Sequence, residues 1–120
     1  MTSPKKFDLI PRCVTFAKAT REFVKQLPQS DHNREYARQL IRSSSAIGAN
    51  YIEANEALGS KDFYYRIGIA RKEAKETRYW LELIDTVERT RLDATRVDLA
   101  QEAHELKLIF SSILEKRRKA

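Results

Sequence analysis

The stretch SSSAIGANYIEANEA, residues 43–57, decides the fold, because it has helical spacing but carries small and polar residues where bulky apolar ones are usual. Two stripes run along the predicted helix. They comprise Tyr36, Leu40, Ser43, Ile47, Asn50, Ala54 and Ala57 on one face, and Ile41, Ser44, Gly48, Ile52 and Asn55 on the other. Two such faces predict burial on two sides, with close backbone approach at Ser, Gly and Ala. The helix is therefore either deep within one bundle or shared between two subunits.

The 120 residues fit a single domain, residues 1–120, large enough to fold without disulfides or metals. Hydrophobic residues make up 42% and charged residues 33%, as in ordinary globular proteins. The lone Cys13 lies in an apolar helical stripe, which predicts a buried thiol and indicates a reducing compartment. The chain has no signal-peptide core and no apolar run approaching about 20 residues, so we expect a cytoplasmic protein with no membrane association.

Proline and glycine positions divide the chain into four predicted helices, over residues 8–27, 31–58, 61–90 and 93–117. The predicted caps and breaks are Asp8 before the first helix, Ser30 or Asp31 before the second, Gly59 as its left-handed end, Ser60 or Asp62 before the third, and a weaker break at Thr90–Asp93. These signals place short connections between long helices.

Apolar spacing supports the helices. The stripes are Cys13, Phe16, Thr20, Phe23 and Leu27 in the first helix, Phe63, Ile67, Ala70, Ala74, Thr77, Leu81 and Ile84 in the third, and Leu99, Ala103, Leu106, Phe110 and Ile113 in the fourth. The third stripe keeps heptad spacing for three heptads. Four amphipathic helices with short connections predict an all-α fold, an antiparallel up-down-up-down four-helix bundle.

The third helix carries more apolar residues than one four-helix core needs. The additional set comprises Tyr65, Ile69, Tyr79, Trp80 and Leu83. Together with the double stripe of the second helix, this surplus favours a homo-oligomer. The alternative is that these side chains only widen the core stripe.

Asn50 lies on a predicted buried face, where an unpaired amide would cost about 1–3 kcal/mol. We therefore expect a neighbouring group to bond it, and the candidates are Glu53, Glu73, Glu76 and Thr77. One interpretation is a polar layer that fixes helix register, of the kind a single Asn provides in coiled coils. The other is a pocket for a ligand or metal.

Carboxylate pairs at helical spacing, Glu53 with Glu56 and Glu73 with Glu76, raise the possibility of a di-iron centre. Such a centre also needs Glu-x-x-His on two helices. Gln29 and Gln101 occupy the positions three residues before His32 and His104, so neither histidine completes the motif. The sequence also lacks a glycine-rich phosphate loop, zinc-ligand spacing and a nucleophile elbow. We expect no enzymatic activity, no metal and no cofactor.

Charge is the other informative feature, since 23 Lys and Arg against 17 Asp and Glu give a formal net charge of +6. The candidate nucleic-acid-binding residues are Arg34, Arg38 and Arg42 on the second helix, Arg71, Lys75 and Arg78 on the third, and Lys116, Arg117, Arg118 and Lys119 at the end. Such stripes can follow phosphates. Alternatively, Glu35, Glu73, Glu76 and Glu82 pair with the helical cations, and the terminal residues form a disordered, solubilising tail.

The segments RQLIRSSSAIGANYIEANEA, residues 38–57, and KDFYYRIGIARKEAKETRYWLEL, residues 61–83, resemble a four-helix-bundle family first found in intervening sequences of bacterial large-subunit ribosomal RNA genes. The positions that carry the resemblance are Leu40, Arg42, Ser43, Ser45, Ile47, Asn50, Ile52 and Glu53, followed by Phe63, Ile69, Ala70, Glu73, Glu76, Thr77 and Leu81. The resemblance covers nearly the whole chain. Many family members have Gly where this chain has Asn55.

The resemblance implies a left-handed antiparallel bundle that assembles into a ring, a pentamer in similar proteins, without enzymatic activity. A related accessory protein of diversity-generating retroelements forms a basic pentamer that associates with a reverse transcriptase and nucleic acid. The resemblance further implies that Asn50, Glu53, Glu73 and Glu76 mark packing or a polar contact between subunits. We group Ser43 and Gly48 with them, because small residues on these faces allow close helix contact. Two hypotheses follow, a homo-oligomeric scaffold that binds RNA or DNA, and a protein-interaction or assembly module.

Overall fold

A computed structural model describes residues 8–119, with side chains up to Arg117. The described chain forms four α-helices and no strand: α1 Ile10–Lys25, α2 Asp31–Asn55, α3 Ser60–Leu83 and α4 Thr90–Lys119. The all-α prediction with four helices is confirmed for this range. Neighbouring helices contact in the order α1–α2, α2–α3 and α3–α4, and α4 also contacts α1, which closes a four-helix bundle.

Helix α2 begins where the sequence predicts, whereas α1 begins at Ile10 with Leu9, rather than Asp8, at its N-cap position. Asp8 Oδ1 accepts a hydrogen bond from the Ile10 amide at 3.0 Å, and Pro11 occupies the first turn, where no amide donor is needed. Ser30 Oγ accepts a bond from the Asn33 amide at 3.1 Å. Of the two caps considered for α2, the structure therefore uses Ser30 rather than Asp31, because only a side chain just outside the helix reaches the unpaired amides.

The turn between α2 and α3 differs from the prediction. Helix α2 ends at Asn55 rather than at residue 58. After Asn55 the amides of Glu56 and Ala57 donate to carbonyls three residues back, which tightens the last turn. Gly59 has φ 171°, an extended conformation, so its predicted left-handed role is wrong. It instead precedes α3, which has no side-chain cap, so neither Ser60 nor Asp62 acts as predicted.

The turn between α3 and α4 covers residues 84–89, earlier than the predicted break at Thr90–Asp93. Asn33, at the start of α2, fixes it. The Asn33 Nδ2 donates to the Asp85 carbonyl at 2.8 Å, and Asn33 Oδ1 accepts from the Asp85 amide at 2.9 Å. Val87 and Glu88 have φ of 47° and 62°, a conformation that costs non-glycine residues energy. Contacts between residues 52 positions apart therefore stabilise the turn that follows α3.

The predicted apolar stripes form the core. All five predicted stripe residues of α1 and the connection after it are buried. Six of the seven stripe residues predicted on and after α3 are buried, and Phe63 is half-buried. Four of the five stripe residues of α4 are buried, and Ile113 is half-buried. Cys13 is buried as predicted, and desolvation raises the pKa of its thiol to about 11. The thiol is therefore protonated and unreactive at neutral pH.

Candidate nucleic-acid interface

The three arginines of α2, Arg34, Arg38 and Arg42, are called here the arginine edge. Each has an acidic partner: Arg34 pairs with Asp31, and Arg38 Nη2 lies 3.9 Å from Glu35 Oε2. Arg42 reaches across to α3. The arginine edge is therefore a salt-bridged surface, with less positive charge available for a phosphate than its sequence spacing indicates.

The partners of Arg42 belong to a polar layer between α2 and α3, which consists of Arg42, Ser43, Glu73, Glu76 and Thr77. The Arg42 guanidinium donates to Glu73 Oε1 at 3.3 Å and to Glu76 Oε1 at 3.4 Å, and Glu73 is only 8% exposed. The Thr77 hydroxyl lies 2.9 Å from Ser43 Oγ and 2.8 Å from the Glu73 carbonyl oxygen. This layer joins two helices of one chain.

Asn50 is not part of that layer. Its Nδ2 donates to the Ala46 carbonyl at 2.9 Å within α2, and its side chain is half-buried. The expected bond from a neighbouring helix is not found among the residues that the structure describes, and Glu53 is exposed to solvent. The bridging asparagine is Asn33 instead, which the sequence pattern did not single out.

Gly48 allows close approach of α1 and α2. A Cβ atom built at this position would lie 2.9 Å from Cys13 Cβ, closer than real side chains come. The second stripe of α2 is thus used within the chain at Ser44, which is buried, and at Gly48. Its outer members, Ile41 and Ile52, remain partly exposed.

The basic residues of α3 have different surroundings. Arg71 and Lys75 line a groove of about 350 Å³ between α3 and α4, called here the α3–α4 groove, whose lining residues are Gly68, Arg71, Lys72, Lys75, Lys107 and Ser111. No acidic side chain lines it. Between residues 8 and 117, no ion pair reaches any of these four cations. The groove is therefore uniformly positive.

Arg78 lies beyond this groove, with its Nη1 3.2 Å from His104 Nδ1. Lys72 and Lys107 were missed by the sequence reasoning. Sequence spacing carries no signal for Lys107, because its place in the groove depends on how α3 and α4 are aligned. A second contact shows that alignment: the Arg117 guanidinium lies over the Tyr64 ring, 5.4 Å from its centroid. The two contacts place Lys107 opposite Lys75.

On the side of α4 that faces α1, a basic side chain is paired with acidic ones. Arg12 of α1 donates to both carboxylate oxygens of Glu102, at 2.6 and 2.9 Å, and to Glu105 at 3.1 Å. The hydrogen bond with Glu102 raises the pKa of Arg12 above its usual value, and hydrogen bonds from Gln101 and Arg12 lower the pKa of Glu105. Among the described residues, the α1 side of α4 therefore carries acidic partners, whereas the α3–α4 groove has none in its lining.

The chemistry of a metal or membrane site is not evident in the described part of the chain. Residues 8–119 contain no group of three His, Cys, Asp or Glu side chains placed to hold a metal ion. None of the four helices is long and apolar enough to cross a bilayer.

The sequence model of one protein family, described as 23S rRNA-intervening sequence protein, matches residues 5–112. The chain belongs to the 23S rRNA-intervening sequence protein family. A solved structure of a protein with unknown function from the S23 ribosomal protein family of Bacteroides thetaiotaomicron is similar, with 30% sequence identity and a TM-score of 0.75 over 92% of this chain and 98% of that one. No curated protein matches the chain.

The basic terminal residues follow the part of the chain that the 23S rRNA-intervening sequence family model matches. Helix α4 continues through Lys119, so the alternative of a disordered tail is wrong. Lys116 borders a cleft of about 540 Å³ shared with α1 and Tyr51, and Arg117 stacks on Tyr64. The side chains of Arg118 and Lys119 lie outside the described residues.

Proposed function

We propose that this protein is a non-enzymatic, homo-oligomeric scaffold that associates with RNA or DNA, and that the α3–α4 groove is its principal contact surface. The observation that carries the proposal is the groove itself, which joins four cations from two helices without an acidic lining residue. Nucleic-acid affinity comes largely from neutralised phosphates and the release of their counterions. Cations that already have acidic partners contribute less, which favours this groove over the arginine edge.

The name of the family refers to ribosomal RNA but states no binding activity. It supports an RNA context without identifying a ligand. The formal charge of +6 acts in the same direction, because a basic protein attracts polyanions at long range. We place the protein in the cytoplasm, where the reduced Cys13 and such a partner would both be found.

For the architecture we propose an antiparallel up-down-up-down bundle that assembles into a ring, with a pentamer as the expected form. Helix α2 contacts α3 through Ser43 and Thr77, and the turn just after α3 through Asn33 and Asp85, so residue numbers rise on α2 as they fall along α3. A pentamer would carry five times the charge of one chain. It would also repeat each α3–α4 groove around one axis, so that weak contacts act together.

A protein-interaction or assembly module is the second candidate. One observation favours it: Leu58, in the α2–α3 turn, is 100% exposed and borders a cleft of about 420 Å³ with Tyr65. Adjoining exposed apolar side chains, rather than single ones, mark protein-binding surfaces. This function needs no nucleic acid.

The test compares two variants that lose the same charge. Arg71→Gln with Lys75→Gln removes two groove cations, and Arg34→Gln with Arg38→Gln removes two paired cations from the arginine edge. RNA binding, followed by fluorescence anisotropy between about 50 and about 200 mM salt, should weaken in both variants. The groove variant should weaken more, by about tenfold at low salt, and show a flatter dependence of log affinity on log salt.

Equal losses in the two variants would mean that only net charge matters, and the groove would no longer be the contact surface. No binding of single strands or duplexes by the unmodified protein at low salt would leave the protein-interaction module as the function. Light scattering on the same samples tests the oligomer, since a mass near 14.0 kDa at micromolar concentration would contradict the ring.

A further inference from the structure

Two exposed tyrosines bracket the α3–α4 groove along helix α3. Tyr65 precedes the first lining residue, Gly68, by three positions, and Tyr79 follows the last lining residue of α3, Lys75, by four. Their side chains are 63% and 57% exposed, respectively. Tyr65, Lys72 and Tyr79 are spaced by seven residues and so share one face of the helix. The sequence alone left open whether these rings belong to the core, and the structure leaves them outside it.

Each ring contacts the side chain of the next residue in α3. The Arg66 guanidinium lies 5.9 Å from the centroid of the Tyr65 ring, and Trp80 contacts Tyr79 edge to face with centroids 5.1 Å apart. Rings that are ordered before binding lose little conformational entropy when a ligand stacks on them. Fourteen residues separate the two rings, a distance of about 21 Å along the helix.

Gly68 lines the α3–α4 groove between Tyr65 and Tyr79 in the sequence of α3. Glycine is among the least helix-favouring residues, yet a Cβ atom at Gly68 would have no atom within 4 Å. No contact among residues 8–117 therefore explains a glycine in the middle of α3. Its missing side chain leaves space at the end of the groove away from Lys75 and Lys107. Close approach of a ligand backbone is a common reason for such a glycine.

We propose that the ligand of the α3–α4 groove is single-stranded nucleic acid, with phosphates along Arg71, Lys72, Lys75 and Lys107 and unpaired bases stacked on Tyr65 and Tyr79. This inference rests on the proposed function. A basic groove flanked by aromatic rings is the arrangement by which proteins bind single strands without reading their sequence. Paired bases in a duplex stack on one another and do not present their faces to a side chain.

The glutamate nearest this face does not oppose the proposal. Glu76 shares the outer side of α3 with Lys72 and Tyr79, but its carboxylate is turned towards α2, where it accepts a hydrogen bond from Arg42 at 3.4 Å. Its charge is thus partly compensated on the far side from the groove. Asp62 lines the cleft beside Tyr65, outside the groove, and no acidic side chain lines the groove itself.

The experiment measures fluorescence anisotropy of an unstructured pyrimidine RNA of about 16 nucleotides and of a blunt duplex of the same length. The unmodified protein should bind the single strand about tenfold tighter than the duplex. Tyr65→Leu with Tyr79→Leu should weaken single-strand binding about tenfold or more and change duplex binding by less than about twofold. The matched control, Tyr65→Phe with Tyr79→Phe, keeps the ring faces and should bind as the unmodified protein does.

The possible failures are distinct. Equal affinity for the two probes, or an unchanged affinity of the leucine variant, would overturn the single-strand inference and leave the groove as a general phosphate surface. Absence of binding to either probe would overturn the proposed function itself. A change in oligomeric mass on Tyr→Leu substitution would assign the tyrosines to a contact between subunits and contradict the inference. Gly68→Gln, whose Cβ would have no atom within 4 Å, should weaken binding without lowering the melting temperature.

Discussion

Helices α2 and α3 carry similar sequence features in opposite surroundings. Each has basic residues repeated every three or four positions and a glycine in its middle. On α2 the arginines are paired with acids, and Gly48 lies against Cys13 of α1. On α3 the cations line an open groove, and Gly68 has no neighbour within 4 Å of an added Cβ. Spacing along the sequence therefore predicts which residues share a face, whereas the helix packed beside that face determines their role.

The largest effect is expected from Gly48→Leu. The first added carbon would already lie 2.9 Å from Cys13 Cβ, so α1 and α2 must separate. We expect the free energy of unfolding to fall by about 3 kcal/mol or more. Chemical denaturation followed by circular dichroism measures this loss, and Cys13, protected by burial in the native protein, should become accessible to thiol reagents.

Gly68→Leu is the matched control for the comparison, because the Cβ of the same side chain would have no atom within 4 Å on α3. Its stability should remain within about 0.5 kcal/mol of the unmodified protein. Equal damage from both leucines would show that the two glycines have similar surroundings after all.

A smaller effect is expected where the arginine edge meets the polar layer. Arg42→Gln removes the cation that faces the buried Glu73 carboxylate, and an unpaired buried charge is costly. Because Arg42 itself is half exposed, we expect a loss of about 1–3 kcal/mol in unfolding free energy. Arg71→Gln, which breaks no ion pair, should leave stability within about 0.5 kcal/mol.

In an RNA-binding assay the order of the two variants should reverse. Arg71→Gln should weaken binding more than Arg42→Gln does. If Arg71→Gln destabilises the protein as much as Arg42→Gln, the groove cations have partners in the assembled protein. The distinction between a structural α2 edge and an open α3 groove would then be lost.

The sequence predicts the fold more completely than it predicts the candidate site. Helical periodicity predicts the four helices and their buried stripes, since it depends only on spacing along one segment. The α3–α4 turn depends on Asn33, whose two bonds to Asp85 join distant segments and could not be read locally. The left-handed conformation predicted for Gly59 is wrong for a related reason. Its position after α2 does not show that it is also the N-cap residue of α3, with an extended conformation.

The site follows the same division. Arg71 and Lys75 were predictable from spacing, but the contribution of Lys107 depends on how α3 and α4 are aligned. Whether an arginine is free or paired also depends on neighbours: Arg42 finds its acids on another helix, 31 and 34 residues away. Local sequence predicts where cations lie. Tertiary packing decides which of them are available to a ligand.

The smallest effect is expected from Gly68→Ala. Alanine favours helix over glycine by about 1 kcal/mol, and no atom opposes its Cβ, so the free energy of unfolding should rise by about 0.5–1 kcal/mol. Differential scanning calorimetry should detect a melting temperature higher by about 2–5 °C. Gly48→Ala is the matched substitution with the opposite sign, because its Cβ collides with Cys13. A lower melting temperature for Gly68→Ala would mean that a second subunit covers the α3–α4 groove in the assembled protein, since nothing within one chain resists the added methyl group.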